Sequence, residues 1–240
     1  MAHISERQTQ FSYFNEALQR PNWKGRKILD FGGNVAGFLV DAGDRVAHDD
    51  YWCLDVTRAA IEQGRRKFPQ AHFVFYDRYS SYFNPHGIRH LPVPRLGQAF
   101  DIIIAFSVFT HTHRNEMIEL VEQLRRMLSR QGLLAFTFFN ADVVPQFKSR
   151  LQTSLRWCVE INGVLHIEPR DDLCQQERQA IRRRRESYCS YFTVDYMKNL
   201  FPHAIVRPPV GTESQYCCIL RNSDSCFGDL MTIKSNCCES

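Results

Sequence analysis

Lys27-Ile28-Leu29-Asp30-Phe31-Gly32-Gly33-Asn34-Val35-Ala36-Gly37-Phe38-Leu39 is the stretch on which the fold turns. A short apolar run ends in an acid, passes through a glycine-rich turn, and resumes as an apolar pattern at helical spacing. That order predicts strand, tight turn and helix N-terminus. The glycines allow a ligand close to the backbone, the opening helix offers unpaired N–H groups, and Asp30 places an acceptor beside them. Read as a dinucleotide fingerprint, the stretch puts Gly32, Asn34 and Gly37 on the three glycine positions. A side chain at the middle one crowds a pyrophosphate, which disfavours a nicotinamide dinucleotide.

The segments that follow repeat the theme. Tyr51-Trp52-Cys53-Leu54 reads as a second strand ending in Asp55, with Thr57 placed to cap a helix running to about Phe68. Asp55 lies about two dozen residues beyond Asp30, at the end of the second strand of a βαβ unit. An acid there is placed to accept hydrogen bonds from ribose hydroxyls. A third strand, Ala71 to Tyr76, ends in Asp77, so three successive strands each finish in a carboxylate. Parallel strands point their carboxyl ends to one edge, where open α/β sheets bind ligands. Phe100-Asp101-Ile102-Ile103-Ile104-Ala105-Phe106 is a fourth strand of the kind buried on both faces. Ser107, Thr110, His111 and His113 come next, then a helix with Met117, Leu120, Val121, Leu124, Met127 and Leu128 on one stripe. A turn at Gln131-Gly132 leads to a fifth strand, Leu133 to Phe139.

An acid followed by glycines at alternate positions is the usual motif I of the class I S-adenosylmethionine (SAM) dependent methyltransferases, and Asp30 and Gly32 match it. Asn34 and Ala36 replace the next two glycines, with Gly33 and Gly37 one place off. The order of parts from Arg26 to Asn140 resembles the methyltransferases of this class that act on small molecules: an aspartate opening strand four, a small polar residue after it, a His before an amphipathic helix, and a Gly leading into strand five. The resemblance implies a doubly wound, Rossmann-like, mostly parallel seven-stranded sheet with helices on both faces and the last strand antiparallel. It implies SAM as cofactor, with Asp30, Gly32, Gly33 and Asn34 around its amino acid part, Asp55 on the ribose, Asp77 on the adenine amino group, and Ser107 also at the cofactor. The reaction it implies is methyl transfer to an O, N or C nucleophile of a small molecule. His111, near the carboxyl end of strand four, suits a general base through its ordinary pKa of about 6.5; in related sequences a His here also shapes the cofactor pocket or braces the next helix.

The rest of the chain gives this core its setting. Glu6 to Arg20 carries Phe11, Phe14, Ala17 and Leu18 at helical spacing and is stopped by Pro21. From 140 to 190 the α/β pattern is interrupted, with a hairpin over Val159 to Ile167 and a polar helix over 171–187 that ends in Arg182 to Arg185. This segment is the expected substrate lid, lined by Trp157, Tyr188, Tyr191 and Phe192. A helix from Thr193 to Leu200 and strands at His203 to Arg207 and Gln215 to Leu220 close the sheet, so residues 1–221 form one domain and 222–240 a loose tail. No apolar run nears the roughly 20 residues of a membrane span, and the first residues lack a basic then apolar signal segment, so the expected compartment is the cytoplasm. The 9 cysteines form no CxxC pair, and His86 and His90 have no third ligand at a metal spacing, so buried thiols and no metal are expected. A net charge of +4 is too mild to imply nucleic acid. Two alternatives stay open: an RNA or DNA methyltransferase, supported by the arginine run, and a binding subunit that keeps the fold without catalysis.

Overall fold

A computed structural model describes residues 9–80, 83–143, 156–161, 164–169, 190–211 and 214–222. The polar helix expected over 171–187, its arginine run, Tyr188, the side chain of Trp157 and the tail beyond 222 lie outside the described residues.

The central strands are β1 (Ile28–Phe31), β2 (Tyr51–Asp55), β3 (His72–Phe75), β4 (Phe100–Ala105) and β5 (Leu128–Asn140). They pair in parallel in the order β3-β2-β1-β4-β5. Beyond β5 comes β10 (Tyr216–Arg221), antiparallel to it, and then β9 (Ile205–Arg207), antiparallel to β10. These seven strands are the sheet that the sequence implies. Three more, β6 (Arg156–Ile161), β7 (Val164–Pro169) and β8 (Tyr191–Phe192), extend it to ten: β6 and β7 form the expected hairpin, β7 pairs with β8, and β8 pairs in parallel with Phe139 and Asn140 at the end of β5.

Helices cover both faces because alternate side chains of a strand point opposite ways. Ile103 and Ala105 join Leu29, Phe31 and Leu54 on one face, under α4 (Arg114–Arg125) and α5 (Val194–Leu200), which contribute Met117, Leu120, Val121, Leu124 and Met197. Ile102 and Ile104 join Ile28 and Cys53 on the other, under α1 (Gln10–Ala17), α2 (Gly37–Ala42) and α3 (Arg58–Lys67), which contribute Phe11, Phe14, Phe38, Leu39 and Ile61. Each apolar stripe buries itself against the strands beneath, and that burial is what makes these short helices stable.

The structure departs from the sequence reading in three places. The turn expected at Gln131-Gly132 is instead part of β5, which starts at Leu128; the ladder to β4 slips register between Phe100 and Ile102, and Gly132 passes so close to Phe100 that an added Cβ would lie 2.7 Å from its carbonyl oxygen. A β-bulge with a glycine at the point of closest approach thus takes the place of a turn. Thr57 precedes α3 but its hydroxyl caps nothing; its backbone N–H donates to Asp55 Oδ1. The leading helix begins at Gln10, where Thr9 and Ser12 form a capping box, and the chain leaves helical geometry at Gln19 and Arg20, both left-handed.

Candidate cofactor and active site

The carboxyl ends of β1, β2, β3 and β4 meet at one edge, and a cavity of about 380 Å³ opens there. That size lies within the roughly 300–1,000 Å³ of small-molecule sites. Gly32, Asn34, Asp55, Ser107 and His111 all line it; Asp30, Gly33 and Asp77 do not.

Gly32 has φ +79°, and a Cβ on it would lie 2.3 Å from Val108 Cγ2, so only glycine fits between β1 and the loop after β4. Gly33 sits on the Asp30 side chain: a Cβ there would lie 2.6 Å from Asp30 Cγ and 2.9 Å from Cys53 Sγ. Asp30 therefore stands behind the turn, 2 % exposed, and accepts a 2.6 Å hydrogen bond from Tyr51 Oη. Burial lifts its carboxyl from 3.8 to about 7; the Tyr51 bond opposes the rise, and the charge of Asp55 adds to it.

Asp55 binds the two loops that frame the cavity. Its Oδ2 accepts from the Asn34 N–H at 2.8 Å and its Oδ1 from the Thr57 N–H at 2.7 Å. Each oxygen keeps a second lone-pair direction, so the carboxylate can serve the turn and a ligand hydroxyl together.

Asp77 is turned into its own loop, where Oδ1 accepts from Asn84 Nδ2 at 3.0 Å. The cavity wall at this end is built by Tyr76 and Arg78 instead. Arg78 is 3 % exposed; it donates to Glu116 Oε1 through Nε at 3.0 Å, to both oxygens of Glu119, and to the Leu91 carbonyl at 2.7 Å. The Arg78 bonds hold the Glu119 carboxyl below its ordinary value, whereas burial pushes the Tyr76 phenol up to about 12. Glu116 and Leu120, one turn apart on α4, both face the cavity. The sequence reading missed this arginine–glutamate cluster, because a single arginine after a strand carries no local sign that it is buried and α4 lies 38 residues on.

On the β4 side, Ser107 adopts φ +58°. Its N–H donates to Thr137 Oγ1 at 2.7 Å, and its hydroxyl meets Thr110 Oγ1 and Gln215 Nε2. His111 lines the cavity wall with its ring edge-to-face against Phe83, centroids 5.4 Å apart. Gln10 brings α1 to the rim.

Residues 29–134 match the model of a methyltransferase domain. Over that stretch, less than half of the chain, the sequence is similar to a methyltransferase domain. Solved structures share the fold over most of the chain. The PH0226 protein from Pyrococcus horikoshii OT3 is 15% identical over 86% of this chain and 87% of its own, with a TM-score of 0.51. CalS10, an amino pentose methyltransferase from Micromonospora echinaspora solved with SAM bound, is 12% identical over 87% of this chain and 86% of its own, with a TM-score of 0.51. The glycopeptide N-methyltransferase MtfA, complexed with SAM, is 11% identical over 85% of this chain and 90% of its own, with a TM-score of 0.50. No curated protein matches the sequence. Among the described residues, no helix is long and apolar enough to cross a membrane.

Proposed function

We propose that the protein transfers a methyl group from SAM to an O, N or C nucleophile of a small molecule. The observation that carries this reading is that one cavity gathers Gly32, Asn34, Asp55, Ser107 and His111 at the carboxyl edge of the sheet. Its shape suits the cofactor: the side-chain-free surface at Gly32 accepts a ligand chain against the backbone, and Asp55 presents a nearly buried carboxylate to vicinal hydroxyls. Bound SAM supplies a sulfonium-borne methyl that passes to the acceptor as the S–C bond breaks and the acceptor–carbon bond forms, leaving S-adenosylhomocysteine.

The chain's own task is alignment and proton handling. Gly32 and Asn34 hold the amino acid part and Asp55 the ribose, while Asp30 and Gly33 shape the turn from behind. Tyr76, Arg78 and Leu120 form the wall at the base end, and Asp77 secures the loop beside it through Asn84. Ser107 lines the floor after β4. His111 is assigned to face the acceptor and take its proton where the nucleophile carries one. Residues 1–221 act as one domain, and the segment at about 140–190, which includes the β6–β7 hairpin, serves as the substrate lid.

Calorimetric titration with S-adenosylhomocysteine tests the reading. Micromolar binding supports it, and a folded protein that binds neither this product nor SAM refutes it and leaves a binding subunit as the better description. Binding to RNA whose affinity falls steeply with salt would instead move the acceptor to nucleic acid.

A further inference from the structure

We infer that Ser190 is a positioning residue for His111, fixing the imidazole in the cavity wall and tying it to the strand on which the β6–β7 hairpin docks. The inference rests on the methyltransferase reading, because it gives His111 its place beside the acceptor.

The loop between β4 and α4 carries His111. The His111 N–H donates to the Val108 carbonyl at 2.9 Å, and Thr112 Oγ1 reaches the Phe109 carbonyl at 3.3 Å. The carbonyls of Thr110 and Thr112, one on either side of His111, both point away from this turn and are met from the far end of the sequence. Ser190 N–H donates to the Thr110 carbonyl at 2.7 Å, and Ser190 Oγ donates to the Thr112 carbonyl. One residue therefore brackets His111 on both sides. All three contributors are enclosed: Ser190 and Thr110 are fully buried and Thr112 nearly so. A buried carbonyl that loses its donor there has no water to replace it, so the two bonds specify the backbone path of the loop and with it the direction of the imidazole.

The position of Ser190 in the chain gives the bracket its meaning. The next residues, Tyr191 and Phe192, are β8; they pair with Phe139 and Asn140 of β5, and Tyr191 pairs with Ile167 of the hairpin. The hairpin is thus hydrogen-bonded to the residue adjacent to the one that brackets His111. A shift of β8 caused by what binds under the hairpin is passed to the His111 backbone through two bonds rather than through loosely packed side chains.

The test uses the full chain, with Ser190→Ala to remove the hydroxyl donor and Thr193→Ala as the matched control. Thr193 Oγ1 accepts from the Tyr196 N–H at 3.1 Å at the start of α5, three residues along the same segment, so its bond lies within that helix. Both variants lose one enclosed hydrogen bond and are expected to melt at similarly lowered temperatures. The discriminating readout is the imidazole resonances of His111 in nuclear magnetic resonance spectra, assigned by their disappearance in His111→Gln. They are expected to move and broaden in Ser190→Ala and to stay in place in Thr193→Ala, with and without S-adenosylhomocysteine. Unmoved His111 resonances in a folded Ser190→Ala, or equal shifts in the two variants, overturn the inference. Wild-type protein that ignores S-adenosylhomocysteine would sink the functional reading instead, and the free-protein spectra would still decide whether Ser190 places His111.

Discussion

Asp55 is the residue whose loss should tell most about the proposed cofactor site. Its two carboxylate oxygens accept from the Asn34 and Thr57 N–H groups at 2.8 and 2.7 Å, so it clamps the β1–α2 turn to the start of α3. Asp55→Asn keeps the shape but has one acceptor oxygen; whichever N–H it serves, the amide nitrogen opposes the other. The change forfeits one hydrogen bond to a charged group, about 1.5–3 kcal/mol. Asp55 is 7 % exposed, so solvent takes over little of that bond. If the whole loss is expressed in the bound state, affinity for S-adenosylhomocysteine falls about 10- to 150-fold, at 1.4 kcal/mol per tenfold. If it falls on the fold instead, melting drops by about 3–12 °C, at about 2–4 °C per kcal/mol for a domain of this size. Calorimetric titration and thermal denaturation of the same preparation divide the effect between the two. An Asp55→Asn protein that binds within about twofold of wild type and melts within about 1 °C of it would refute the clamp, because 1.5 kcal/mol must surface in one measurement or the other.

Two further outcomes follow from the same turn. Gly33→Ala should lower the stability, read in urea denaturation, by the roughly 1–3 kcal/mol of an overpacked core, since its Cβ meets the buried Asp30 and Cys53; Gly25→Ala, with nothing within 4 Å, should cost only the left-handed strain of about 1–2 kcal/mol. Asp30 gives a pH dependence. Its carboxyl titrates near 3.8 when unfolded and at about 7 when folded, so the neutral form is favoured by folding. The stability this provides is complete below about pH 4 and is lost as pH rises through about 7. Asp30→Asn, permanently neutral and able to accept from Tyr51, should gain on wild type as pH rises from 5 to 8.5 in urea denaturation, and a constant difference across that range would contradict the assignment.

What was legible in the sequence was whatever short-range pattern determines. The run Phe100 to Ala105 could be nothing but a buried strand, and the acids closing β1, β2 and β3 marked the carboxyl edge before any strand was paired. The direction of those acids was not legible. Asp30, Asp55 and Asp77 look alike in sequence, yet one faces Tyr51 behind the turn, one clamps two loops at the cavity, and one is spent on Asn84. Side-chain direction there depends on how each strand leaves the sheet, and on partners that are near only after folding. The Arg78 cluster and the Ser190 bracket were invisible for the same reason, being contacts across 38, 41 and 78 residues.

The altered glycine pattern shows how physical contact, rather than family spacing, decides where glycine is required. Four residues of the turn were candidates: Gly32, Gly33, Asn34 and Ala36. Two must be glycine because neighbours occupy the Cβ position, Val108 at Gly32 and Asp30 with Cys53 at Gly33. The other two have left-handed backbones, φ 51° at Asn34 and 61° at Ala36, and each carries a side chain there. Asn34 is exposed, its N–H is held by Asp55, and asparagine tolerates this region better than most residues. Ala36 pays a left-handed strain of about 1–2 kcal/mol, and its methyl is fully buried among Phe38 and its neighbours, which offsets part of that cost. The turn therefore forms with side chains at two of the three glycine positions of the pattern it resembles. Because Asn34 lines the cavity, the substitution also brings a donor and an acceptor to the wall where glycine would have left bare backbone.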